Sequence, residues 1–304
     1  EPLVQNIDTC LNYTTIQAAI DAPETLNGHT LFVEHGVYYE HVVVYKSLSL
    51  VGEDRLRTII DGNDVGNVIN ITASNVTIAG FTVRRSGSDF PCCGIYLASS
   101  GGNLSGNVVK DNYNGIYLES SSNSIVTGNN VTANYWWGIY VHFSFGNTIS
   151  KNNFTHNTPG YGIFLYLSSN NNIKENNVTA NNHAGIFLTE SSNNNITGND
   201  IAENYIGISL YGSMDNIISK NNIKTSGWRG IELGYVKSSS NNTIYHNNFI
   251  DNPVHAVSIP PSINIWDNGY PHGGNYWSGY TDVDLFSGPY QNETGSDGIW
   301  DHPY

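Results

Sequence analysis

A four-residue motif that returns every 21–26 residues constrains the fold of this chain more than any other feature. The motif is Gly-Ile-x-Leu, in which apolar residues alternate as in a strand with one buried face. Two further short apolar runs lie between successive copies, and Asn, Gly or Ser separates them. The copies, of which the last is degenerate, occupy residues 94–97, 115–118, 138–141, 162–165, 185–188, 207–210, 230–233 and 256–259.

Three short strands in each repeat predict one coil of a solenoid. A single coil cannot bury its own apolar side, so successive coils must stack and share one core. The sequence therefore predicts an all-β, right-handed parallel β-helix of about ten coils and roughly 50 Å, since strands stack about 4.8 Å apart and parallel crossovers favour the right hand. Helical repeats are disfavoured because Asn, Gly and β-branched residues are poor helix formers, and a propeller needs repeats of about 40 residues.

The two ends of the chain lack the repeat and predict caps. Residues 13–21 carry Ile16, Ala19 and Ile20 on one side, which is typical of a short amphipathic helix that covers the first coil. From about residue 260 the chain becomes rich in Gly, Trp, Tyr and Asp. We expect one structural domain with an N-terminal cap at 1–29, the β-helix at 30–260 and an irregular C-terminal cap at 261–304.

Two columns of Asn keep the same period and predict ladders at the bends of the coil. Asn suits such bends because it tolerates left-handed backbone and its amide can bond the neighbouring coils; hydrogen bonding to sugars is the alternative. If the column at Asn130, Asn153 and Asn177 points inward, these sequons cannot carry glycans. Asn12 and Asn292, which lie outside the coils, are then the predicted glycan acceptors.

Charge and composition narrow the class of function. The chain has 26 Asp and Glu against 12 Lys and Arg, a net charge of −14, which argues against nucleic-acid binding because phosphates require a basic patch. No apolar run reaches the roughly 18–20 residues of a transmembrane helix. Ten Asn-x-Ser/Thr sequons fit an exported protein, and the first residue is Glu1, consistent with a removed leader or a trimmed chain. Cys10, Cys92 and Cys93 allow one disulfide with a leftover thiol, or a bridge between the adjacent pair.

Several segments also resemble a known family. These are Thr-Ile-Gln-Ala-Ala-Ile at 15–20, the run at 33–44, Ser-Leu-Ser-Leu-Val-Gly-Glu at 47–53, Thr-Ile-Ile-Asp-Gly at 58–62 and the coils over about 70–260. Together they resemble NosD-like, carbohydrate-binding and sugar-hydrolase type β-helix proteins, and the segments at 274–280 and 297–304 resemble the ends of archaeal cell-surface members. The resemblance implies the β-helix and export to the cell surface. It does not imply one activity, because the family contains enzymes, binding modules and surface proteins.

The third residue of each motif forms a predicted aromatic stripe. The Ile and Leu on either side of this residue point into the core. Alternation therefore places the third residue on the outer wall, at Tyr96, Tyr117, Tyr140, Phe164 and Phe187. A neighbouring column adds Trp136, Trp137 and Trp228. An exposed stripe of this kind predicts subunit packing or a platform for sugar rings; covering loops are the third possibility.

Candidates for catalysis and metal binding are few. Glu119 and His142 occupy one column in adjacent coils and form the best acid/base couple, whereas no two carboxylates do so. Asp282, Asp284, Asp297 and Asp301 lie close together in the tail and could hold Ca²⁺, or form a merely solvated acidic loop. Copper, which the NosD name suggests, is not expected, since the ten His are scattered and there is one Met.

These observations together predict an exported, extracellular structural or adhesive protein. We expect copies to associate, head to tail or laterally, into a filament, sheath or surface layer. Catalysis is not expected on this interpretation, and glycans are possible further partners. The alternative is a β-helix protein that binds or cleaves polysaccharides.

Overall fold

The computed structural model, which describes residues 3–302, confirms the right-handed parallel β-helix of about ten coils. Each coil contributes one strand to each of three long sheets, named A, B and C. Pairing between coils is parallel and in register, so that Ile116 of one coil lies beside Ile139 of the next. The repeat length therefore brings equivalent residues into columns along the rod.

Sheet A has twelve strands, of which the first two are antiparallel additions at the N-terminal end. Its strands are Val4–Asn6, Leu11–Tyr13, Thr30–Val33, Ser49–Gly52, Thr77–Ala79, Asn103–Ser105, Ile125–Thr127, Thr148–Ser150, Asn172–Lys174, Asn195–Thr197, Ile217–Ser219 and Thr243–Tyr245. Sheet B contains Gly36–Tyr39, Thr58–Asp61, Thr82–Arg84, Val108–Lys110, Asn130–Thr132, Asn153–Thr155, Asn177–Thr179, Asp200–Ala202, Asn222–Lys224, Asn248–Ile250 and Tyr276–Trp277.

Sheet C holds the longest strands, and these include the Gly-Ile-x-Leu motifs. They are Val42–Val44, Ile69–Ile71, Cys93–Leu97, Asn114–Glu119, Ile139–His142, Ile163–Tyr166, Ala184–Thr189, Ile206–Tyr211, Arg229–Leu233 and Val254–Ser258. A two-stranded antiparallel sheet, Phe286–Ser287 and Glu293–Thr294, lies in the C-terminal segment.

The lumen of the coil is filled by the inward residues of all three sheets. Their side chains form one continuous apolar cluster from Val4 to Phe249. Phe81, Phe154 and Phe249 are the largest side chains that are fully buried there. The glycines of the motif lie very close to the backbone of the next coil. A Cβ at Gly138 would lie 2.5 Å from the Gly162 carbonyl oxygen, so the bend has no room for a side chain.

Buried amides join the coils at the corners. At one corner Asn129 donates through Nδ2 to Asn152 Oδ1 at 3.0 Å, and Asn152 donates to Asn176 Oδ1 at 3.0 Å. The residue before the amide takes the left-handed conformation, with φ of 57° at Lys151 and 55° at Glu175. The predicted ladder is thus present, but its members are Asn129, Asn152 and Asn176, each of which directly precedes a sequon asparagine. The expectation that Asn130, Asn153 and Asn177 point inward is wrong.

The second predicted Asn column is confirmed. Asn112, Asn134, Asn157, Asn181 and Asn204 are buried, and each amide bonds the next, as in the 2.9 Å contact from Asn134 Nδ2 to Asn157 Oδ1. A third amide ladder at the corner between sheets C and A includes Asn147, Asn171, Asn194, Asn216 and Asn242. Three ladders therefore satisfy the backbone at the bends without using charge.

The N-terminal helix spans Ile16–Asp21 and is shorter than the predicted 13–21, because Tyr13 belongs to an added strand of sheet A. Thr15 caps the helix by accepting from the Ala18 backbone N–H at 3.1 Å. Its apolar side is buried as predicted, and Gln17 bonds both backbone groups of Val43, the edge strand of sheet C. The helix therefore covers the first coil.

The opposite end is closed by the C-terminal segment, residues 261–302. Trp277 stacks on Phe249 at 4.4 Å between ring centroids and closes the lumen. Within the part of the chain that is described, no helix is long and apolar enough to cross a membrane.

Candidate functional site

The outer face of sheet C carries the aromatic stripe that the sequence predicts. Phe164 stacks on Tyr140 at 5.0 Å and on Phe187 at 5.2 Å, with interplanar angles of 15° and 14°. Tyr117 extends the column, 4.8 Å from Tyr140, and Tyr96 lies 5.2 Å from Tyr117. Period-2 alternation and in-register pairing therefore place all five rings outside the lumen.

Exposure of the stripe was overestimated from the sequence. Tyr117 and Tyr140 are only 5% exposed, and Tyr96, Phe164 and Phe187 are half-buried. Trp137 packs over Tyr140 at 4.4 Å, and Phe90, from the loop before Cys93, lies 6.2 Å from Tyr117. The interpretation in which a loop covers the rings is thus correct for the middle of the stripe. Phe90 belongs to no repeat motif, so the pattern gave no signal of its role.

The rings that remain accessible lie along the corner between sheets B and C. We call the set Tyr113, Tyr135, Trp136, Tyr205 and Trp228 the corner ridge. Tyr135 is 58% exposed and stacks with Tyr113 at 5.5 Å and with Trp136 at 6.1 Å. Tyr205 stacks with Trp228 at 5.6 Å. Trp136 and Trp228, both predicted as interface or sugar-stacking residues, are half-buried members of this ridge.

An open groove of about 750 Å³ lies beside the part of the ridge formed by Tyr113 and Tyr135. Tyr113 and Tyr135 form its aromatic side, while Asp64, Asp111 and His156 bring polar groups to it. Both carboxylates have cationic partners: Asp64 bonds Arg85 and Asp111 bonds Lys110. The groove thus offers ring faces and hydrogen-bonding groups without free negative charge.

Glu119 and His142 come together as the sequence predicts, and Tyr117 joins them. His142 Nδ1 lies 2.8 Å from Glu119 Oε2 and 3.2 Å from the Tyr117 hydroxyl oxygen. The Tyr117 hydroxyl donates a very short hydrogen bond to the same carboxylate oxygen. His142 is held between rings, since it stacks with Tyr166 at 5.3 Å. Tyr117 was predicted as a stripe residue, and its bond to Glu119 was not foreseen.

The surroundings of this cluster keep the Tyr117 hydroxyl protonated. Burial, followed by the hydrogen bond to Glu119, raises the pKa of Tyr117 far above the ordinary value for tyrosine. Burial and the charge of Glu119 likewise raise the pKa of Tyr140. Tyr117 is therefore a protonated donor at neutral pH, and Glu119 with His142 is the couple that could exchange protons with a ligand.

A second polar cluster interrupts the outer wall further along sheet C. The column that is aromatic up to Phe187 continues with Ser209 and Glu232. The Glu232 side chain, 4% exposed, forms a very short ion pair with Arg229, whose guanidinium lies 3.6 Å from the Trp228 ring centroid. Burial raises the pKa of Glu232, and Arg229 opposes that shift. No repeat in the sequence predicted this ion pair.

The tail carboxylates do not form the predicted calcium site. Asp284 accepts hydrogen bonds from Ser296, Asp297 and Gly298, and Asp301 accepts from the backbone N–H groups of 285 and 286. Asp282 bonds His302, and Asp297 bonds Gln291 and its own loop.

Between residues 3 and 302, no three His, Cys, Asp or Glu side chains form a group that could hold a metal. The four tail carboxylates are thus not gathered around one point in this structure. Each tail carboxylate instead ties one turn of the segment.

The cysteines and the predicted glycan acceptors are also placed. Cys10 is exposed, Cys92 is half-buried and Cys93 is buried beside Tyr117 and Tyr140; all three thiols are free, so neither disulfide alternative forms in this structure. Asn12 and Asn292 are both exposed, which is what glycan acceptors require.

Comparison with known protein families matches the coils to two models. Residues 137–282 match the family described as periplasmic copper-binding protein (NosD), and residues 67–206 match the right-handed β-helix region. A curated cell surface glycoprotein of Methanothermus fervidus is 32% identical over 128 residues, which are 42% of this chain and 17% of that protein. The match thus spans a small part of the relative's length.

Solved structures share the fold. The ORF18 protein of Geobacillus virus E2 superposes with a TM-score of 0.66 at 16% identity, over 82% of this chain and 56% of that one. The A-module of a mannuronan C-5 epimerase from Azotobacter vinelandii gives a TM-score of 0.52 at 13% identity, over 88% of this chain and 95% of that module. At such identities the likeness concerns the fold alone. Each family model matches a little less than half of the chain, so the comparisons agree with the right-handed parallel β-helix of the structure and show a likeness to NosD-like proteins.

Proposed function

We propose that this chain is a structural and adhesive module of a cell-surface protein. The observation that carries the proposal is the set of amide ladders, which joins successive coils at three corners over most of the rod. Buried, fully bonded amides specify one rigid arrangement of coils. A stiff rod of this kind suits a spacer or a surface that presents other groups.

The proposed location rests on the relative described above. That protein is a cell surface glycoprotein, and the matched 128 residues lie within a chain several times longer. This supports a role as one module of a larger extracellular protein. The sequons, all of which face outward or lie at exposed turns, agree with export.

The adhesive part of the proposal concerns the corner ridge. Its rings are stacked, partly exposed and next to an open groove, a combination found where proteins bind one another or bind sugars. Association between copies is proposed to be lateral. End-to-end pairing is less supported, because the N-terminal helix and Trp277 cover the two ends of the coil.

Light scattering and electron microscopy of the purified chain over a range of concentrations test this proposal. We expect dimers or larger lateral assemblies, and we expect Tyr135→Ala combined with Trp136→Ala to dissociate them. Tyr235→Ala is the matched control, because Tyr235 is 63% exposed and is not part of the ridge. A monomer at every concentration would contradict lateral association, and equal loss with the control would contradict the role of the ridge.

A second candidate function is action on polysaccharides, favoured by the contacts among Tyr117, Glu119 and His142. The mannuronan epimerase that shares the fold is active on a polysaccharide, but the argument for this chain rests on its own acid/base couple. Assays for released reducing ends, for unsaturated products and for epimerised residues on a panel of polysaccharides test it. Any activity should be abolished by Glu119→Gln and retained in Glu203→Gln, which changes an exposed carboxylate elsewhere. No turnover of any polymer in the panel would reject this candidate.

A further inference from the structure

The outer face of sheet B presents three sequons in adjacent coils. Asn130, Asn153 and Asn177 occupy equivalent positions in consecutive parallel strands, and we call these three residues the sequon column. Asn177 is exposed, and the other two are half-buried by their neighbours in the column. They could not carry glycans if they pointed inward, and their outward orientation removes that objection.

Strand geometry makes both parts of each sequon accessible from the same side. Residues i and i+2 of a strand share a face, so Thr132, Thr155 and Thr179 lie beside the amides on the outer wall. Thr179 donates to Asn177 Oδ1 at 2.6 Å. By contrast, the buried ladder amides Asn129, Asn152 and Asn176 at the same corner are followed two positions later by an inward apolar residue. None of the asparagines that are buried within 3–302 belongs to a sequon.

The column also has space beside it. An open groove of about 630 Å³ is lined by all three asparagines together with Arg55, Lys151 and Glu175. Lys151 and Glu175 are 69% and 56% exposed and only 3.7 Å apart. Such groups can hydrogen-bond the hydroxyls of a first sugar without being displaced from a buried partner.

The close spacing of the coils limits how many of the three asparagines can carry a glycan. Neighbouring coils are about 4.8 Å apart, a distance comparable with the width of one sugar ring, so glycans on adjacent coils would overlap. Two coils, about 9.6 Å, leave room for one sugar ring at each end. The existing bonds survive that pattern: Asn177 Nδ2 donates to Asn153 Oδ1 at 2.6 Å, and Asn153 Nδ2 donates to Asn130 Oδ1 at 2.9 Å. A substituted amide nitrogen retains one hydrogen and can still donate.

We propose that sheet B is a glycosylated face, with N-linked glycans on Asn130 and Asn177 and with Asn153 left unmodified between them. This inference rests on the proposed export to the cell surface. The donor is a glycan joined through its anomeric carbon to a lipid phosphate, used by the host's transferase. The amide nitrogen attacks that carbon, the bond from carbon to phosphate oxygen breaks, the lipid phosphate leaves with the electron pair, and the nitrogen loses one proton to a base.

Glycopeptide mass spectrometry of the full chain, isolated from the surface of cells that perform N-glycosylation, tests the inference. We expect glycan mass on the Asn130 and Asn177 peptides and its absence from the Asn153 peptide. Thr179→Val removes the sequon hydroxyl but keeps the amide column, and it should abolish the glycan on Asn177 alone. In the double variant Asn130→Gln and Asn177→Gln, the glycan should appear on Asn153, since the neighbours that blocked it are gone.

The outcomes separate this inference from the proposed function. Surface biotinylation shows whether the protein reaches the outside of the cell; if it does not, the proposed function fails first. If the protein is at the surface and the three peptides are unmodified, whether or not Asn12 or Asn292 carries a glycan, the inference is overturned while the location stands. Glycans on all three asparagines of one molecule would overturn the alternating pattern.

Discussion

The coils and the C-terminal segment are held together by different polar side chains. In the coils, neutral amides are buried at the corners and bond their equivalents one coil away, as Asn129 bonds Asn152. In residues 261–302, carboxylates at the surface bond nearby backbone N–H groups, as Asp284 does with Asp297 and Gly298. Polar side chains that repeat in register can therefore bond one another in a single network. A turn that occurs once needs a side chain of its own to accept from its backbone N–H groups.

The same contrast extends to apolar side chains. Inside the coils, an inward residue such as Phe154 or Ile173 is completely buried, because the coils above and below supply its contacts. In the C-terminal segment, Ile263 and Tyr290 are 77% and 84% exposed. Without a repeat there is no lumen to fill. We therefore expect the coils to resist unfolding and the segment to open first.

The largest expected effect is a cavity in the lumen. Phe154→Ala should lower the free energy of unfolding by about 3–5 kcal/mol, because it removes a fully buried ring from a packed core. The measurement is chemical unfolding followed by circular dichroism. Thr155→Ala, one residue along on the outer face of the same strand, is the control and should cost far less. Similar losses in both variants would argue against the assigned orientation of the strand.

The next effect concerns the amide ladder. Asn152→Ala deprives the Val126 carbonyl of its donor at 2.8 Å and the Asn129 backbone N–H of its acceptor at 2.9 Å. Leaving these buried groups unpaired should cost roughly 1–3 kcal/mol in the free energy of unfolding. Asn153→Ala is the matched variant, since it changes the adjacent outward amide. If Asn153→Ala proved the more destabilising, the corner assignment would be wrong.

Acidification should destabilise the C-terminal segment but not the coils. The backbone N–H of Val283 and the contacts with His302 lower the pKa of Asp282, and bonds from Ser296 and the 297–298 backbone lower the pKa of Asp284, both from 3.8. The stabilisation that these two carboxylates give to the folded segment is present above pH 3.8. It is lost as the pH falls through their lower pKa values in the folded state.

Hydrogen exchange between about pH 5 and pH 2, corrected for intrinsic rates, measures this effect. We expect protection in residues 282–302 to fall while the ladder amides, which do not titrate, keep the coils protected. Parallel loss in both regions would contradict the comparison.

The smallest effect is local. Asp284→Asn replaces one of two accepting oxygens with an NH2 group, which cannot accept; either the bond from Asp297 to Oδ1 or the bonds from Ser296 and Gly298 to Oδ2 are then lost. Exchange should accelerate around 296–298, and the unfolding of the coils should not change. Glu293→Gln, an exposed carboxylate of the same segment, serves as the control. A shift in the unfolding midpoint of the coils would show that the segment and the rod unfold together.

Much of the fold could be predicted from the sequence, and the errors have identifiable causes. The repeat and the alternation of Ile and Leu predict the lumen, because both reflect backbone geometry. The choice between Asn129 and Asn130, or between Asn152 and Asn153, was wrong because both residues of an Asn-Asn pair fit the column equally well. The left-handed residue before the pair decides which amide turns inward, as Lys151 does at φ 57°.

Less of the candidate site could be predicted from the sequence. Glu119 and His142 were paired correctly because a column in adjacent coils is a property of the repeat. The cover of Phe90 over Tyr117 was missed, since it comes from a loop that has no counterpart in other coils. The calcium prediction assumed that acidic residues close in sequence converge, whereas Asp284 and Asp301 each tie a separate turn.

By itself, the sequence determined the solenoid, its hand and the division between inward Ile or Leu and outward rings, because a strict period leaves the backbone few alternatives. Only the tertiary structure decided which rings stay exposed, which amides are buried and which carboxylates meet a partner. Those outcomes depend on contacts between side chains from different coils and from an irregular loop, and such contacts follow no period.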